Sequence, residues 1–500
     1  MKKLVIAISV FMTLQPASLA QFRGPAAGFF EGFTDLGSPP LKGSVLYSEP
    51  GQEYRISGSG ENIWFGEDSF SFLWKKMEGD FIIQAQLSFL GEGTDPHRKA
   101  GLMIRGGLSS GASHMSCVVH GDGLTSLQYR KAPGVDMEEL KFDIRGPDVL
   151  QLEKKGKLFT VSVAHQGELY AKQSLELNLD GKLEAGLFVC SHNKEVMEEA
   201  IFSNVRIMGT APDDLVPYQS YIGSLLEVMD VKSGQRQIIG GDPGSWQAPN
   251  WTPDGQSLIY NAEGLLYRFD LESGLSEVLN TGFARQNNND HVISFDGTQI
   301  AISHHPEEEN GQSVVYTLPL YGGTPTRVTP LSPSYLHGWS ADDRYLVYCA
   351  NRNGQYDVYR IPVEGGEEVQ LTDQSTLDDG PEYSPDGKYI YFNSARTGTM
   401  QIWRMDPDGQ NQTQLTFDDY NDWFAHVSPD GKWLVFISYP PEVPAASHPF
   451  YKRVYLRLMS VVDLKPKVIA YVYGGQGTMN VPSWSPDSQK IAFVSNGIFE

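Results

Sequence analysis

The sequence is poor in cysteine, in basic residues and in long apolar runs. It holds three cysteines and no C-x-x-C pair, so zinc-finger and thioredoxin chemistry have no support. Lys and Arg number 39 against 61 Asp and Glu, which gives a formal net charge of −22. Because no basic cluster offsets this charge, we expect no nucleic-acid partner. No apolar stretch beyond the N-terminus is long enough for a transmembrane helix, so we expect no membrane span.

The segments around two of the cysteines indicate whether their thiols are buried or form a disulfide. Cys117 and Cys190 stand in the apolar, strand-like segments HMSCVVH and AGLFVCSH. Buried free thiols are the favoured interpretation, and a Cys117–Cys190 disulfide remains an alternative.

The N-terminus carries an export pattern. In MKKLVIAISVFMTLQPASLAQ, two lysines precede a short apolar run that ends in small residues. This pattern predicts a signal peptide over residues 1–20, cleaved after Ala20. We therefore expect a periplasmic or secreted extracellular protein.

Residues 27–208 contain alternating segments without a repeat, among them FIIQAQLSF, KAGLMIRGG and LFTVSVAHQG. Turn residues separate these segments, which is typical of an antiparallel β-sandwich. The stretches GSGENIWFGEDSFSFLWKK, KAGLMIRGG and AGLFVCSH resemble concanavalin-like jelly-roll domains of unknown function. The resemblance implies a jelly roll over 27–208, and the aperiodic segment 209–219 (GTAPDDLVPYQ) is expected to be a linker.

From residue 220 the chain repeats a unit. Turns of the S-P-D-G type place aspartates at Asp254, Asp296, Asp342, Asp386, Asp430 and Asp487. Successive aspartates lie 42 to 46 residues apart except for the last interval of 57, which contains the insert YPPEVPAASHPFYKRV. This period is that of a four-stranded propeller blade. The last unit stops after two strands, and SLLEVMDVKSGQRQIIG (224–240) supplies the other two.

These units resemble the TolB-type propeller repeat: S-P-D-G, an apolar strand, a strand like YDVYRIPV, and a last strand ending in Leu-Thr. The predicted fold class is all-β, with an N-terminal antiparallel β-sandwich (jelly roll) followed by a closed six-bladed β-propeller over 220–500. TolB carries an α/β domain ahead of its propeller where this chain has a sandwich. The resemblance therefore implies the fold and not the Tol–Pal partnership. We expect a monomer.

Histidines and other polar residues recur just before the inner strands, and the fold resemblance implies that these segments open on one face of the propeller. His291 and His337 both lie five residues before a turn aspartate, and His426 lies four before. The wider set at this end includes Asp290 and His448. We predict a ligand site formed by His291, His337, Asp379, Trp423, His426, Asn480, Arg352, Arg396, Tyr335 and Gln476.

Several functions fit these residue types. The favoured one is an exported protein that binds a glycan, a peptide or a protein partner at this face, with aromatic rings stacking on sugars and the arginines pairing with uronates. The alternative is a metal-assisted lyase or hydrolase acting on oligosaccharides, in which His291, His337 and His426 hold a divalent metal. HGWSADDRYLVY is similar to the inner-strand motif of oligogalacturonate lyases on related propellers. A scaffold without a small ligand, or histidines that merely tie blades together, also fits.

Overall fold

The structure of the protein is a computed structural model that describes residues 20–22 and 27–498. Residues 1–19 of the predicted signal peptide lie outside the described residues, so the signal peptide stays a prediction. Apart from a 3₁₀ turn at Glu307–Glu309, the regular structure of the described part is β. No helix within it is long and apolar enough to cross a membrane. The all-β prediction is confirmed.

The first fifteen strands are β1 (Ala20–Phe22), β2 (Gly32–Leu36), β3 (Ser44–Ser48), β4 (Glu53–Gly60), β5 (Phe70–Met77), β6 (Phe81–Leu90), β7 (Lys99–Arg105), β8 (His114–His120), β9 (Thr125–Arg130), β10 (Glu138–Lys141), β11 (Val149–Lys155), β12 (Leu158–Ala164), β13 (Ala171–Glu176), β14 (Leu183–Cys190) and β15 (Asn193–Gly209). The chain divides into two compact units. The first comprises residues 1–76, 85–146 and 178–205, and the second comprises 77–84, 147–177 and 206–500.

The first unit contains a seven-stranded antiparallel sheet with the order β10-β9-β8-β7-β14-β5-β2. Side chains alternate between the two faces of a strand, so Leu102 and Cys117, which pair across β7 and β8, lie on one face. Both are fully buried. Within the described residues this unit is all-β, and the jelly-roll connection stays a prediction.

All three cysteines are free and buried. Cys117 pairs with Leu102 of β7, whereas Cys190 pairs with Lys99 of the same strand. Residues 99 and 102 point to opposite faces, so the two thiols lie on opposite faces of one sheet. The disulfide alternative is therefore wrong for this structure. Burial raises the pKa of the Cys190 thiol to about 11.

The second unit holds the repeats. Its further strands, in chain order, are β16 (Ser224–Asp230), β17 (Arg236–Asp242), β18 (Gln247–Trp251), β19 (Ser257–Ala262), β20 (Leu265–Asp270), β21 (Ser276–Val278), β22 (Asn287–Ile293), β23 (Gln299–His304), β24 (Val314–Pro319), β25 (Thr326–Arg327), β26 (Ser334–Trp339), β27 (Tyr345–Arg352), β28 (Gln355–Pro362), β29 (Val369–Gln370), β30 (Asp378–Tyr383), β31 (Ile390–Ser394), β32 (Gln401–Met405), β33 (Thr413–Gln414), β34 (Asn421–Val427), β35 (Trp433–Tyr439), β36 (Lys452–Ser460), β37 (Lys467–Gly474) and β38 (Lys490–Asn496).

Strands β18 to β37 form five four-stranded antiparallel blades in sequence order, and β17-β16-β38 form a sixth sheet. The two ends of the repeat region share this sixth sheet, because β16 pairs with β38. Its innermost strand is reduced to a bridge between Trp484 and Ile491. The six-bladed prediction is confirmed.

No backbone ladder closes the propeller from one blade to the next among the described residues, and the two ends of the repeat region meet within the sixth sheet. Each sheet has its own ladder. Neighbouring blades are tied instead by side chains. The Trp339 indole donates to the Val292 carbonyl of the preceding blade at 2.8 Å.

Each inner strand ends in the same turn, and one hydrogen bond explains the repeated motif. In the turn after β30, Ser384 Oγ donates to Asp386 Oδ1 at 2.7 Å. In each of the other five repeats, a Ser or Thr hydroxyl donates in the same way to the aspartate two residues later in the sequence. These pairs are Thr252–Asp254, Ser294–Asp296, Ser340–Asp342, Ser428–Asp430 and Ser485–Asp487. The aspartate carboxylate thereby closes the turn locally.

Candidate functional site

The inner strands begin with irregular backbone. In β26, Leu336 pairs with Tyr348 and Gly338 pairs with Val347, so His337 is the extra residue of a β-bulge. Strand β22 regains its pairing only at His291, which leaves residues 288–290 in a bulge. Bulges re-aim side chains and occur often beside functional sites. The polar residues of these bulges converge at one end of the inner strands.

Two further inner strands place their bulge residue in the left-handed region. Gly380 has φ +60°, and Phe424 has φ +53°. Such a φ is a strained backbone for a residue as large as phenylalanine. The Phe424 ring stacks on His337, with centroids 5.8 Å apart. The left-handed backbone at Phe424 therefore directs its ring against the imidazole of His337.

The centre of the site is formed by Asp290, His337 and Asp379. His337 Nε2 donates to Asp379 Oδ1 at 3.0 Å. Asp290 Oδ2 accepts from the Asn288 amide at 2.7 Å. Asp290 and His337 are 5% and 7% exposed, and these low exposures make their charges costly.

The pKa values of these groups are coupled. Burial raises the pKa of Asp290 to about 6, and the charge of Asp379 adds to the rise while His337 opposes it. Burial alone would lower the pKa of His337, but the hydrogen bond and the charge of Asp379 and the charge of Asp290 raise it. Burial would raise the pKa of Asp379, but the bond to His337 lowers it. His337 thus compensates Asp379 by a direct hydrogen bond and Asp290 only in part, through its charge.

A second histidine–carboxylate pair lies further along the inner strands. His426 Nδ1 contacts Glu382 Oε2 at 2.6 Å, and Nε2 contacts the Met479 carbonyl at 3.3 Å. Glu382 Oε1 also accepts from the Val427 amide at 2.8 Å. His426 therefore joins neighbouring blades rather than facing an incoming ligand.

The edge of the site is built by the loop before β38 and by the insert after β35. His448 donates from Nδ1 to Gln476 Oε1 at 2.7 Å, and the Asn480 amide donates to the same oxygen at 2.9 Å. The Trp423 ring packs 4.4 Å from His448. Gln476 and Tyr335 are partly exposed, whereas Trp423 is fully buried.

Several predicted residues have other roles in the structure. His291 is fully buried, and its Nε2 contacts the Ile259 carbonyl of the preceding blade at 3.1 Å. Arg352 is held by Glu368 at 2.6 Å, and Arg396 by Asp378 at 2.6 Å. The structure thus brings together His337, Asp379, Gln476, Asn480 and Tyr335. It places His291, His426, Arg352, Arg396 and Trp423 in structural contacts.

The sequence analysis predicts a metal ion held by His291, His337 and His426. Within the described ranges, no set of three or more His, Cys, Asp or Glu residues is arranged to hold a metal ion. Nε2 of His291 contacts the Ile259 carbonyl, and both ring nitrogens of His426 contact protein acceptors. The metal site of the lyase alternative therefore stays a prediction.

Two residues, Asp290 and Glu382, were left out of the predicted ligand site although the sequence contains a signal for each. Asp290 belongs to the wider set of entrance residues, and its place beside His291 on a strand means that only one of the two can face the site. Glu382 and His426 each lie four residues before a turn aspartate, in adjacent blades. That equal position is a signal for a contact between them.

The opposite end of the inner strands is apolar. A cavity of about 280 Å³ is lined by inner-strand and turn residues of all six repeats, including Trp251, Trp339, Trp484 and Tyr383. Glu382 is a rare charged group in its wall. The inner strands therefore run from a charged entrance to an apolar cavity.

Comparisons with known proteins agree with this architecture. Residues 335–443 match the model of the TolB beta propeller domain. The uncharacterized protein Atu1656 of Agrobacterium fabrum is 44% identical over 272 residues, which are 54% of this chain and 92% of that protein. A solved structure described as "putative TolB" from Agrobacterium tumefaciens is 43% identical, covers 55% of this chain and 99% of its own, and has a TM-score of 0.53. TolB from Acinetobacter baumannii is 15% identical, with 65% and 79% covered and a TM-score of 0.41.

Proposed function

The chain belongs to the family of TolB β-propeller proteins, and on that premise we propose that it is an exported binding protein whose propeller entrance takes a cationic segment of a peptide or protein partner. In this proposal residues 1–20 are the export signal and the protein works in the periplasm or outside the cell. The segment 27–208 is a jelly-roll module, joined by the linker 209–219 to the propeller.

The observation that carries the proposal is that the carboxylates of Asp379 and Asp290 have different surroundings. Asp379 is paired with His337 at 3.0 Å, whereas Asp290 has a pKa raised to about 6 by burial and by the nearby carboxylate. Asp290 makes no ion pair within the described ranges, and the charge of His337 offsets its burial only in part. A lysine ammonium or an arginine guanidinium beside it would favour the ionised form.

The residues around Asp290 favour a lysine or arginine side chain of a peptide over a free cation. Tyr335 supplies partly exposed aromatic surface, and Gln476 supplies a partly exposed amide. Aromatic surface beside carboxylates suits the long apolar stem and charged head of lysine or arginine. The formal charge of −22 would also draw a basic partner toward the protein.

Peptide selection tests the proposal. A displayed library of random peptides is selected on the full chain at pH 7.5, and enriched peptides are synthesised. We expect enrichment of Lys or Arg, and at least about tenfold weaker binding to Asp379→Asn together with Asp290→Asn, which corresponds to about 1.4 kcal/mol.

The matched control is Asp408→Asn, because Asp408 is an exposed turn aspartate at the surface of the same blade as Asp379. This variant is expected to bind as the parent does. Selected peptides without basic residues, or equal binding to the double variant and the parent, would refute the proposal.

A further inference from the structure

A second cavity, larger than the one between the inner strands, lies away from them. It has a volume of about 340 Å³ and is lined by residues of β11, β12 and β13, of the blade β34–β37, and of the insert after β35. Every lining residue falls within residues 147–177 or 206–500, so the cavity belongs to the second unit. A volume of this size is in the range of small-molecule sites.

The floor of the cavity is a polar sheet face. Gln151 of β11 pairs with Ser162 of β12, which pairs in turn with Lys172 of β13. Glu153 and Thr160 form the next row on the same face. Ser162 is 1% exposed, and its hydroxyl has no hydrogen-bond partner among the described residues. A buried hydroxyl without a partner costs free energy unless a bound group supplies one.

The wall of the cavity is aromatic. Tyr420, Tyr455 and Tyr471 come from the blade β34–β37 or its lead-in, and Tyr170 lies just before β13. Their rings contact one another, with Tyr170 4.5 Å from Tyr471 and Tyr420 5.4 Å from Tyr455. Tyr170 and Tyr420 are partly exposed, so each still presents ring surface to the cavity.

The roof explains the irregular repeat in the sequence. The long interval between Asp430 and Asp487 contains the insert, and the insert contributes Pro440, Glu442 and Pro444 to the cavity lining. The other blades lack this extension and so have no such roof. The extra residues of this one blade therefore build one side of the cavity.

The exposed charged side chains of the lining are Lys172, Lys452 and Glu442. Lys172 and Lys452 are exposed and line the cavity, and neither makes an ion pair with any residue from 27 to 498. Arg453 is paired with Glu153 in the wall. The two lysines thus offer cations to a ligand, whereas the internal pair is already satisfied.

We propose that this cavity binds an acidic saccharide, one whose ring hydroxyls meet the polar floor and whose carboxylate meets Lys172 and Lys452. Sugar hydroxyls both donate and accept, which matches Ser162 and Gln151, and the apolar face of a sugar ring matches the tyrosine wall. A fatty acid would need an apolar floor, which Gln151, Ser162 and Glu153 do not provide. The site is separate from the propeller entrance and does not depend on the function proposed there.

Calorimetric titration of the full chain with digalacturonate at low salt tests this assignment. We expect saturable binding, and at least tenfold weaker binding of the methyl-esterified disaccharide, which keeps the rings and loses the charges. The variant Lys172→Gln with Lys452→Gln is expected to lose at least tenfold in affinity. Ser162→Ala is expected to weaken binding without changing the preference for the acid.

Lys467→Gln is the matched control, because Lys467 is an exposed lysine of the same blade that does not line the cavity. It is expected to bind as the parent does, and so is Asp379→Asn, which tests independence from the entrance. The assignment is overturned by absence of binding at millimolar digalacturonate, by equal affinity for acid and ester, by an unchanged double lysine variant, or by loss of binding in Asp379→Asn.

Discussion

Asp290 shows how one buried group can link stability with binding. Its carboxylate is 5% exposed and has a pKa of about 6, against an ordinary value of 3.8. Because the folded pKa is raised, the stability that Asp290 contributes is fully present below pH 4 and is lost as pH rises through 6. The difference in pKa corresponds to about 3 kcal/mol. The ionised carboxylate of Asp290 therefore destabilises the folded protein at neutral pH.

The variant Asp290→Asn removes this cost. We expect it to gain stability relative to the parent as pH rises from 4 to 7, by up to about 3 kcal/mol, since asparagine has no charge to bury. Thermal unfolding of both proteins across this pH range provides the measurement. A difference that does not change with pH would contradict the account.

Asp379→Asn is the contrasting variant, because its pKa is lowered by His337. A lowered folded pKa gives stability that is present above the ordinary pKa and lost as pH falls through the folded one. The variant should therefore be less stable than the parent at pH 7 and should approach it in strong acid. The same unfolding series checks this, and a more stable Asp379→Asn protein at pH 7 would be inconsistent with the pairing.

The first unit contains a fully buried ionic network that permits a second test at this scale. Asp68 accepts from Arg130 at 2.6 Å and from Arg105 at 3.2 Å, and all three side chains are completely buried. Removing one partner leaves buried charges uncompensated, which costs about 3–5 kcal/mol. Asp68→Asn should accelerate amide hydrogen exchange in β8 and β9. Unchanged exchange there would show that the network does not hold this sheet.

Sequence reasoning predicted which segments lie at the entrance but could not predict the direction of their side chains. His291 and His337 hold equivalent positions relative to their turns, and yet His291 is buried between blades while His337 faces the carboxylates. The bulges in β22 and β26 differ in length, and bulge length is set by tertiary packing. The ion pairs of Arg352 and Arg396 likewise depend on residues distant in sequence, which no local pattern encodes.

At the scale of the element, the bulges of the inner strands depend on backbone that tolerates positive φ. Gly380 has φ +60°, and a Cβ there would lie 2.4 Å from Asn393 Oδ1 and 3.1 Å from the Phe424 ring. Asn393 Oδ1 in turn accepts from the Phe424 amide at 3.1 Å. The side chain of Asn393 therefore contacts the bulges of both β30 and β34.

Gly380→Ala should destabilise the protein by more than the left-handed backbone alone would cost, which is about 1–2 kcal/mol. Gly431→Ala is the matched comparison, because Gly431 has φ +71° with nothing within 4 Å of its added Cβ. Denaturant unfolding of both variants gives the comparison. Equal losses of stability would mean that the close approach to Asn393 contributes nothing.

The turns are the elements that sequence analysis predicted best. The S-P-D-G pattern encodes a bond between residues two apart, such as Ser384 to Asp386, and so its structure is local. The four-stranded blades follow from the period of these turns. The division of residues 27–208 could not be read in the same way, because that segment has no repeat and its strands pair over long sequence separations.

At the scale of the whole molecule, the two ends of the repeat region meet in one sheet. Strand β38 pairs with β16 from Ser224 to Asp230, and Ser495 Oγ donates to Glu227 at 2.5 Å. Arg236 and Arg206 also contact Glu227. The sixth sheet therefore depends on residues more than 250 positions apart, as the 268-residue separation of Ser495 and Glu227 shows.

Removal of residues 490–500 should leave β16 paired with β17 alone. Because β16 then becomes an edge strand that has lost one of its two ladders and its buried partners on β38, we expect the amides of Ser224–Asp230 to exchange faster than in the full chain, with smaller changes in β26 to β29. Hydrogen-exchange mass spectrometry measures both regions in one experiment. Protection of β16 that survives the truncation would contradict this role of β38.

The central claim is that the propeller entrance binds a positive charge through its carboxylates, and a double-mutant cycle tests it most directly. The affinity of a selected lysine-bearing peptide, and of its Lys→Gln counterpart, is measured by calorimetry with the parent protein and with Asp290→Asn plus Asp379→Asn. The account predicts a coupling energy of about 1.5 kcal/mol or more between the peptide lysine and the two carboxylates. A coupling energy near zero would contradict it, because the lysine would then bind without sensing the entrance.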